Sequence, residues 1–500
     1  MLQTLDDVMS QSCFADCLFI LFGATGDLSK RKLIPALYKL IEDKKLCHFA
    51  IIGAALEPLD QHLILERSKP FIQNLKPEIW EKLVRAFYYY PMDFYHGTMY
   101  NNLKPLVAEV ERKHKLSGNR VLYFATMPQH FPTITKFLLE SELVNHSIQL
   151  LRNKSGQADT NNNDNINSAP GDCLKPIETW TRLVYEKPFG EDTASSQGLN
   201  NFLSQAFAEE QIFRIDHYLG KELVGNIALA RFTNRIFEPL WNSDHIESVH
   251  ISIKETLGVE QRGGYYDGYG QLKDMVQSHM LQLLALTAME SPGELTANNI
   301  RDAKATVLKN VVIDKVLLGQ YDGYLQEPSV NPHSTTDTFS ALRLFVNKKR
   351  WQGVPFYLVT GKALDRKETT IELRFKMAKC PLTSCPSEPN ALIFKIHPDD
   401  GIYLRLNAKL PGIALEVAPV SMDFCHSCLF GPNTPEAYET LLADVIRGDQ
   451  AAFIRADEVE ASWRIIDTIT AQKHELQSYA RGSQGPAALK SFYLPRKEES

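Results

Sequence analysis

Cys17-Leu18-Phe19-Ile20-Leu21-Phe22 runs straight into Gly23-Ala24-Thr25-Gly26-Asp27-Leu28, after which the apolar positions change their spacing. Six apolar residues closed by a glycine read as a buried strand, and the helical intervals from Lys30 to Lys44 read as a helix. Strand, Gly-rich turn and helix form the context of a dinucleotide-binding unit. The glycines let the backbone approach a pyrophosphate, and the helix start offers unpaired N–H groups and a partial positive charge. The spacing is not G-x-G-x-x-G, so the pattern alone leaves open both cofactor binding and an ordinary tight turn. Pro35, inside the helical pattern, predicts a kink or a late helix start.

Outward from this unit the alternation continues. Phe49 to Gly53 reads as a second strand, with helical stretches near 60–87 and 101–116. A strand at Arg120 to Ala125, a helix near 130–142 and a strand at Arg182 to Tyr185 follow. Alternating β and α elements imply a parallel sheet covered by helices. Asn153 to Ile177, rich in Asn, Asp, Gly and Ser, reads as a mobile surface insertion with too little apolar area to offset its ordering entropy. Past residue 190 a helix near 192–209 gives way to longer β-branched and aromatic runs: Ser248–Glu255, Ala341–Val346, Thr370–Phe375, Leu392–His397 and Ile402–Asn407. The expected fold is an α/β Rossmann-like N-terminal domain over 1–190, followed by a larger α+β domain with a mainly antiparallel sheet over 191–500.

Charged residues at 23% and hydrophobics at 44% describe an ordinary globular chain. A formal net charge of -6 argues against a nucleic-acid partner, so an anionic substrate needs a local cationic pocket. No apolar run spans a bilayer and no secretory signal is visible, so no membrane partner is expected and the expected location is cytoplasmic. Eight cysteines are too sparse for a disulfide scaffold. Cys425-His426-Ser427-Cys428, with Cys380 and Cys385, lacks regular metal-ligand spacing; the expectation is no metal, and buried or free thiols.

Arg214-Ile215-Asp216-His217-Tyr218-Leu219-Gly220-Lys221 concentrates a carboxylate, an imidazole, a phenol and two cations. His217, Tyr218 and Lys221 offer three kinds of donor to a phosphate oxyanion, and Asp216 is suited to orienting a general base. A buried structural polar network is the competing reading. Lys187 follows a predicted strand directly, where open α/β sheets bind ligands, although a surface lysine in a turn fits as well. In a helical run from about 267 to 288, His279 shares an apolar stripe with Leu272, Val276 and Leu283, which alone reads as a core histidine.

The octapeptide resembles the signature of glucose-6-phosphate dehydrogenases. Four further matches follow the family's order: Gly23–Leu28, Glu186-Lys187-Pro188-Phe189-Gly190, Arg262-Gly263-Gly264-Tyr265-Tyr266-Asp267, and Arg350-Trp351-Gln352-Gly353-Val354-Pro355-Phe356-Tyr357. The resemblance implies oxidation of glucose 6-phosphate to 6-phosphogluconolactone with NADP, the first step of the oxidative pentose phosphate pathway. It implies His279 as base with Asp216 as its partner, and Lys187 between cofactor and substrate. Lys187, His217, Tyr218, Lys221, Glu255, Asp274, Lys362 and Lys367 are the implied substrate contacts, with solvated lysines as the plain reading of the last two. Gly23, Ala24, Thr25, Gly26, Asp27, Leu28, Lys30 and Lys187 are the implied cofactor contacts. A homodimer or homotetramer built on the second sheet is also implied.

The chain departs from the family pattern in three places. Leu56, followed by Glu57, replaces the Arg that meets the cofactor's 2′-phosphate, which keeps NAD a live alternative; Thr25, Lys30 and Arg31 could substitute. Val359 replaces an Arg that in some relatives belongs to a structural cofactor site, and Ser278 stands where Asn commonly precedes the base. The alternative enzyme is an NAD-linked or dual-cofactor sugar-phosphate dehydrogenase. A regulatory relative without activity would show a broken catalytic set, whereas Asp216, Lys187 and His279 are all present.

Overall fold

The computed structural model describes residues 13–144, 179–379, 388–413, 416–425 and 435–493; the Asn153–Ile177 insertion, Cys380, Cys385, His426 and Cys428 lie outside them. Two compact units form. The first takes the chain up to Phe189 with Gln197–Ile215 and Tyr438–Ile454, and the second takes Gly190–Ser196, Asp216–Ala437 and the chain from Arg455 onward.

The first unit is built on β1 (Cys17–Phe22), β2 (Phe49–Ala55), β3 (Phe87–Pro91), β4 (Arg120–Phe124), β5 (Thr181–Tyr185) and β6 (Ile212–Ile215). Their order, β3-β2-β1-β4-β5-β6, is all parallel and is that of a doubly wound dinucleotide-binding sheet. Every residue of β1 and β2 is buried, as expected of strands covered on both faces. A division at residue 190 misses two pieces of this sheet: β6 pairs with β5, and the short strand Phe453–Ile454 adds antiparallel to β6. Backbone pairing draws both segments into the first unit. Arg182 secures the late segment by donating to the carbonyls of Val445 and Ile446 at the end of helix Ala437–Arg447, both at 2.6 Å.

Pro35 perturbs its helix as expected, in a particular form. A π-turn over Ser29–Leu33 precedes the α-helix Ile34–Glu42, and Ile34 N–H reaches Ser29 O. The wider turn accommodates a residue that cannot donate and whose ring crowds the preceding turn. The thiol reading needs correction. Cys13 and Cys47 form a disulfide with Cα atoms 5.8 Å apart, because Phe14 N–H bonds Lys45 O at 2.8 Å and brings the two segments side by side. Cys425 is also disulfide-bonded, whereas Cys17 is a buried free thiol whose pKa burial pushes up.

The second unit holds a nine-stranded sheet. Its strands are β7 (Ile246–Lys254), β8 (Val311–Tyr321), β9 (Phe339–Val346), β10 (Pro355–Gly361), β11 (Glu368–Phe375), β12 (Ala391–His397), β13 (Gly401–Lys409) and β14 (Val417–Cys425), with Leu476–Tyr479 beyond β8. The order β14-β13-β12-β11-β7-β10-β9-β8 is antiparallel throughout except for β7 and β10. Two helical segments in direct continuation, Leu272–Met280 and Leu281–Ala288, pack among helices Ala297–Leu308 and Ala456–Thr470 and against β9 and β10. The first is a π-helix, and all eight residues of the second are buried. Among the described residues no helix is long and apolar enough to cross a membrane.

Candidate active site

The octapeptide divides where the units do. Arg214 and Ile215 end β6, and Arg214 is a buried structural cation bonded to Glu209 at 2.6 Å and Asn200 at 3.1 Å. Asp216 opens the second unit. Its Oδ1 stands 2.5 Å from His279 Nδ1 and accepts Tyr218 N–H at 2.9 Å, with both side chains of the acid–imidazole pair only 1% exposed. Burial works to raise the Asp216 pKa. The charge and hydrogen bond of His279, then His217 and the Tyr218 N–H, outweigh it and hold the carboxyl well below the usual range.

His279 is therefore buried as its sequence pattern suggests, and it is held in a polar and aromatic cluster. Its ring stacks on Tyr218 at 4.4 Å and meets the His217 ring edge-on at 4.8 Å. The π-helix carries Asp274 and His279 together, a wider turn of the kind that often marks a functional site. Asp216, His217 and His279 also bring ligand-type atoms within 4.8 Å of one another. The 2.5 Å separation in the acid–imidazole pair is a hydrogen-bond length. Two ligands of one tetrahedral zinc, each about 2.0–2.1 Å from the metal, stand roughly 3.3 Å apart. The Asp216–His279 contact therefore has the geometry of a hydrogen bond and not of two ligands on one zinc.

Around this pair the cations gather. Lys221 Nζ lies 4.3 Å from the Tyr218 ring centroid. Burial lowers the Lys221 pKa; Asp400 opposes that fall and Lys367 adds to it. His397 is lowered by burial, then by Lys367 and Lys221. Lys221, Lys367 and His397 thus act on one another electrostatically, with Asp400 as an opposing charge. Burial chiefly raises the Tyr218 pKa; a bond to Thr369 works against this, and the Glu255, Asp216 and Asp274 charges add to it. Lys362 Nζ pairs with Glu255 Oε2 at 2.6 Å and lies 5.1 Å from the Tyr266 ring centroid. All the expected substrate contacts except Lys187 thus belong to the second unit. Lys187 leaves β5 in the first unit, just after Glu186, whose Oε1 accepts from Tyr123 at 2.6 Å and Tyr438 at 3.2 Å.

In the first unit Gly23 ends β1 beside β4, where the strand order reverses. Its φ is +88°, and a Cβ there would stand 2.3 Å from Ala125 O. Lys30 and Arg31 both pair with Asp27, at 2.9 and 2.8 Å. Thr25 Oγ1 donates to Glu57 Oε2 at 2.7 Å, while Leu56 is 68% exposed.

Models of the NAD binding domain and the C-terminal domain of glucose-6-phosphate dehydrogenase match residues 20–226 and 228–499. The chain belongs to the glucose-6-phosphate dehydrogenase family. Glucose-6-phosphate 1-dehydrogenase of Streptococcus pneumoniae is 39% identical, over 95% of this chain and 94% of that one. The protein of the same name from Bacillus subtilis is 38% identical, over 94% and 95%. A solved glucose-6-phosphate dehydrogenase in complex with its substrate glucose-6-phosphate superposes with a TM-score of 0.83 at 32% identity, covering 96% of this chain and 98% of that one.

Within this family member, sequence reasoning passed over His397, Thr369 and Asp400, none of which sits in a motif, and gave Tyr266 no role although its motif was noted. Thr369 pairs with His397 across β11 and β12, which brings one to Tyr218 and the other to the cations.

Proposed function

We propose that this glucose-6-phosphate dehydrogenase family member oxidises glucose 6-phosphate at its anomeric carbon to 6-phosphogluconolactone. The observation that carries this reading is the buried Asp216–His279 pair beside Lys221 and Lys367. His279 takes the proton of the anomeric hydroxyl through the ring nitrogen that Asp216 does not hold, and Asp216 fixes the tautomer and stabilises the resulting imidazolium. His217, Tyr218, Lys221 and Lys367, all of the second unit, grip the phosphate. Glu255, Asp274 and Lys362 take sugar hydroxyls. Remote phosphate binding then fixes the reacting carbon against the base.

Gly23 supports a dinucleotide site because its φ of +88° and its close approach to the Ala125 backbone exclude any side chain and allow the tight turn after β1 that such a site needs. Gly23 to Leu28, with Lys30 and Lys187, would hold the cofactor, and a bound nicotinamide accepts the hydride from the anomeric carbon. NADP is the acceptor the family pattern favours. Glu57 supports a second reading in which NAD also serves: its carboxylate is turned to Thr25 in the first turn, where an acidic group suits a ribose hydroxyl better than a phosphate. A homo-oligomer is part of the proposal, supported by Val420 and Met422 exposed on the edge strand β14. Initial rates with glucose 6-phosphate and with glucose, each against NADP and NAD, test the whole reading. Turnover confined to the phosphorylated sugar is expected. Equal rates on glucose would refute the phosphate seat.

A further inference from the structure

We propose that Asp337, in the loop between β8 and β9, is a positioning residue that sets the active-site π-helix in register with the sugar-binding side chains. Its Oδ2 accepts the Leu272 N–H at 2.9 Å, the first residue of the helix carrying Asp274 and His279, and the Ser340 hydroxyl at 2.9 Å. The Asp337 carbonyl accepts the next N–H upstream, Gln271, at 2.9 Å, and the Tyr266 hydroxyl at 3.1 Å. A helix start leaves N–H groups without intrahelical partners, so an acceptor supplied by another segment fixes where that helix begins.

Two further features show that this contact is built in. Gly270, with φ +71°, has no room for a side chain: a Cβ there would stand 2.3 Å from Asp337 Oδ1. Gln271 is buried and closed into the same network, accepting from Tyr266 at 2.6 Å and donating to Thr360 Oγ1 at 2.7 Å. The neighbouring residue then turns the same loop toward the substrate contacts. Thr338 O accepts the Lys362 N–H at 2.9 Å, and the Tyr479 hydroxyl bridges Thr338 O and Lys362 O at 3.1 and 2.8 Å. Lys362 reaches Glu255 at 2.6 Å. Asp337-Thr338 thus fastens the base-bearing helix on one side and the Lys362–Glu255 pair on the other. Because a misplacement of about 1 Å can cost on the order of a hundredfold in rate, such a fastening governs turnover without touching substrate.

The inference rests on His279, Asp274 and Lys362 acting as proposed, so His279→Asn is measured in parallel. Asp337→Leu removes the acceptor while keeping the branching at Cγ. Gly270→Ala leaves Asp337 in place but pushes its carboxylate away from Leu272. Asp337→Asn keeps an acceptor oxygen. Steady-state kinetics of folded enzyme should show kcat reduced at least about tenfold in Asp337→Leu and in Gly270→Ala, with the KM for dinucleotide within about twofold of the parent and Asp337→Asn within about threefold in kcat. A purely structural role would lower thermal stability while leaving kcat of the folded variants intact, and would overturn the proposal. So would Asp337→Asn as damaging as Asp337→Leu. If Asp337→Leu does not fold, Gly270→Ala and Asp337→Asn decide the matter by the same criteria. Normal turnover in His279→Asn would instead defeat the assignment of the base.

Discussion

Asp216→Asn removes one charge from the buried pair while preserving the size of the side chain. Asp216 Oδ1 and His279 Nδ1 are 2.5 Å apart, and both residues are shut off from water. A charge-assisted hydrogen bond is worth about 1.5–3 kcal/mol, and each 1.36 kcal/mol is a factor of ten, so kcat should fall roughly 10- to 150-fold. The fall is larger if the amide turns its NH2 toward Nδ1 and traps the wrong tautomer. The pH dependence gives a sharper readout. The carboxylate stabilises the imidazolium, so its loss lowers the pKa of His279, and the acid limb of kcat/KM should move down by about one to two pH units. Stability changes too. The depressed Asp216 pKa contributes stability that is complete above about pH 4, the unfolded value, and is lost as pH falls toward the folded one. Melting temperatures of parent and variant should therefore differ more at about pH 7 than at about pH 3. An acid limb that stays in place, with kcat within about threefold of the parent, would refute the pairing as the source of base strength.

The parallel sheet was legible because strands covered on both faces must be apolar throughout, as β1 and β2 are. β3 was not: Phe87-Tyr88-Tyr89-Tyr90-Pro91 follows helix Pro77–Ala86 without a break, so the helical reading ran on into it. β6 runs into the octapeptide at Arg214 and Ile215, whose polar chemistry drew attention from Ile212 to Ile215 as a strand. Periodicity placed His279 in the core, where it is, without marking its polar partner. On a buried π-helix, with Met275, Val276, Gln277, Ser278 and Met280 buried as well, there is no stripe to separate core from site. What marks His279 chemically is Asp216, 63 residues earlier, and that pairing exists only once the second unit has folded. The proposed phosphate seat was half legible. Lys221 lies in the octapeptide and Lys367 follows the Arg350–Tyr357 motif, whereas His397 reaches them through the register of β11 and β12.

Lys221→Ala should raise the KM for glucose 6-phosphate by the roughly 10- to 150-fold that 1.5–3 kcal/mol represents, with a much smaller effect on kcat; an unchanged KM would place Lys221 outside the phosphate seat. The Cys13–Cys47 bridge closes a separation of 34 residues, for which loop entropy gives about 3–4 kcal/mol. The paired Cys13→Ser, Cys47→Ser variant should melt below the oxidised parent, and the difference should vanish in reductant. The cofactor can be tested at the end of β2. Leu56 is exposed, so an arginine there can reach a 2′-phosphate without disturbing the core, while Glu57, bonded to Thr25, supplies the opposing charge. Leu56→Arg should tighten NADP by roughly 1–3 kcal/mol and Glu57→Gln should act in the same direction, both leaving NAD nearly unchanged in steady-state KM. A parent enzyme that already rejects NAD, with neither substitution moving the KM for NADP, would mean that the phosphate is held from elsewhere, with Lys30 and Arg31 released from Asp27 as the nearest source of charge.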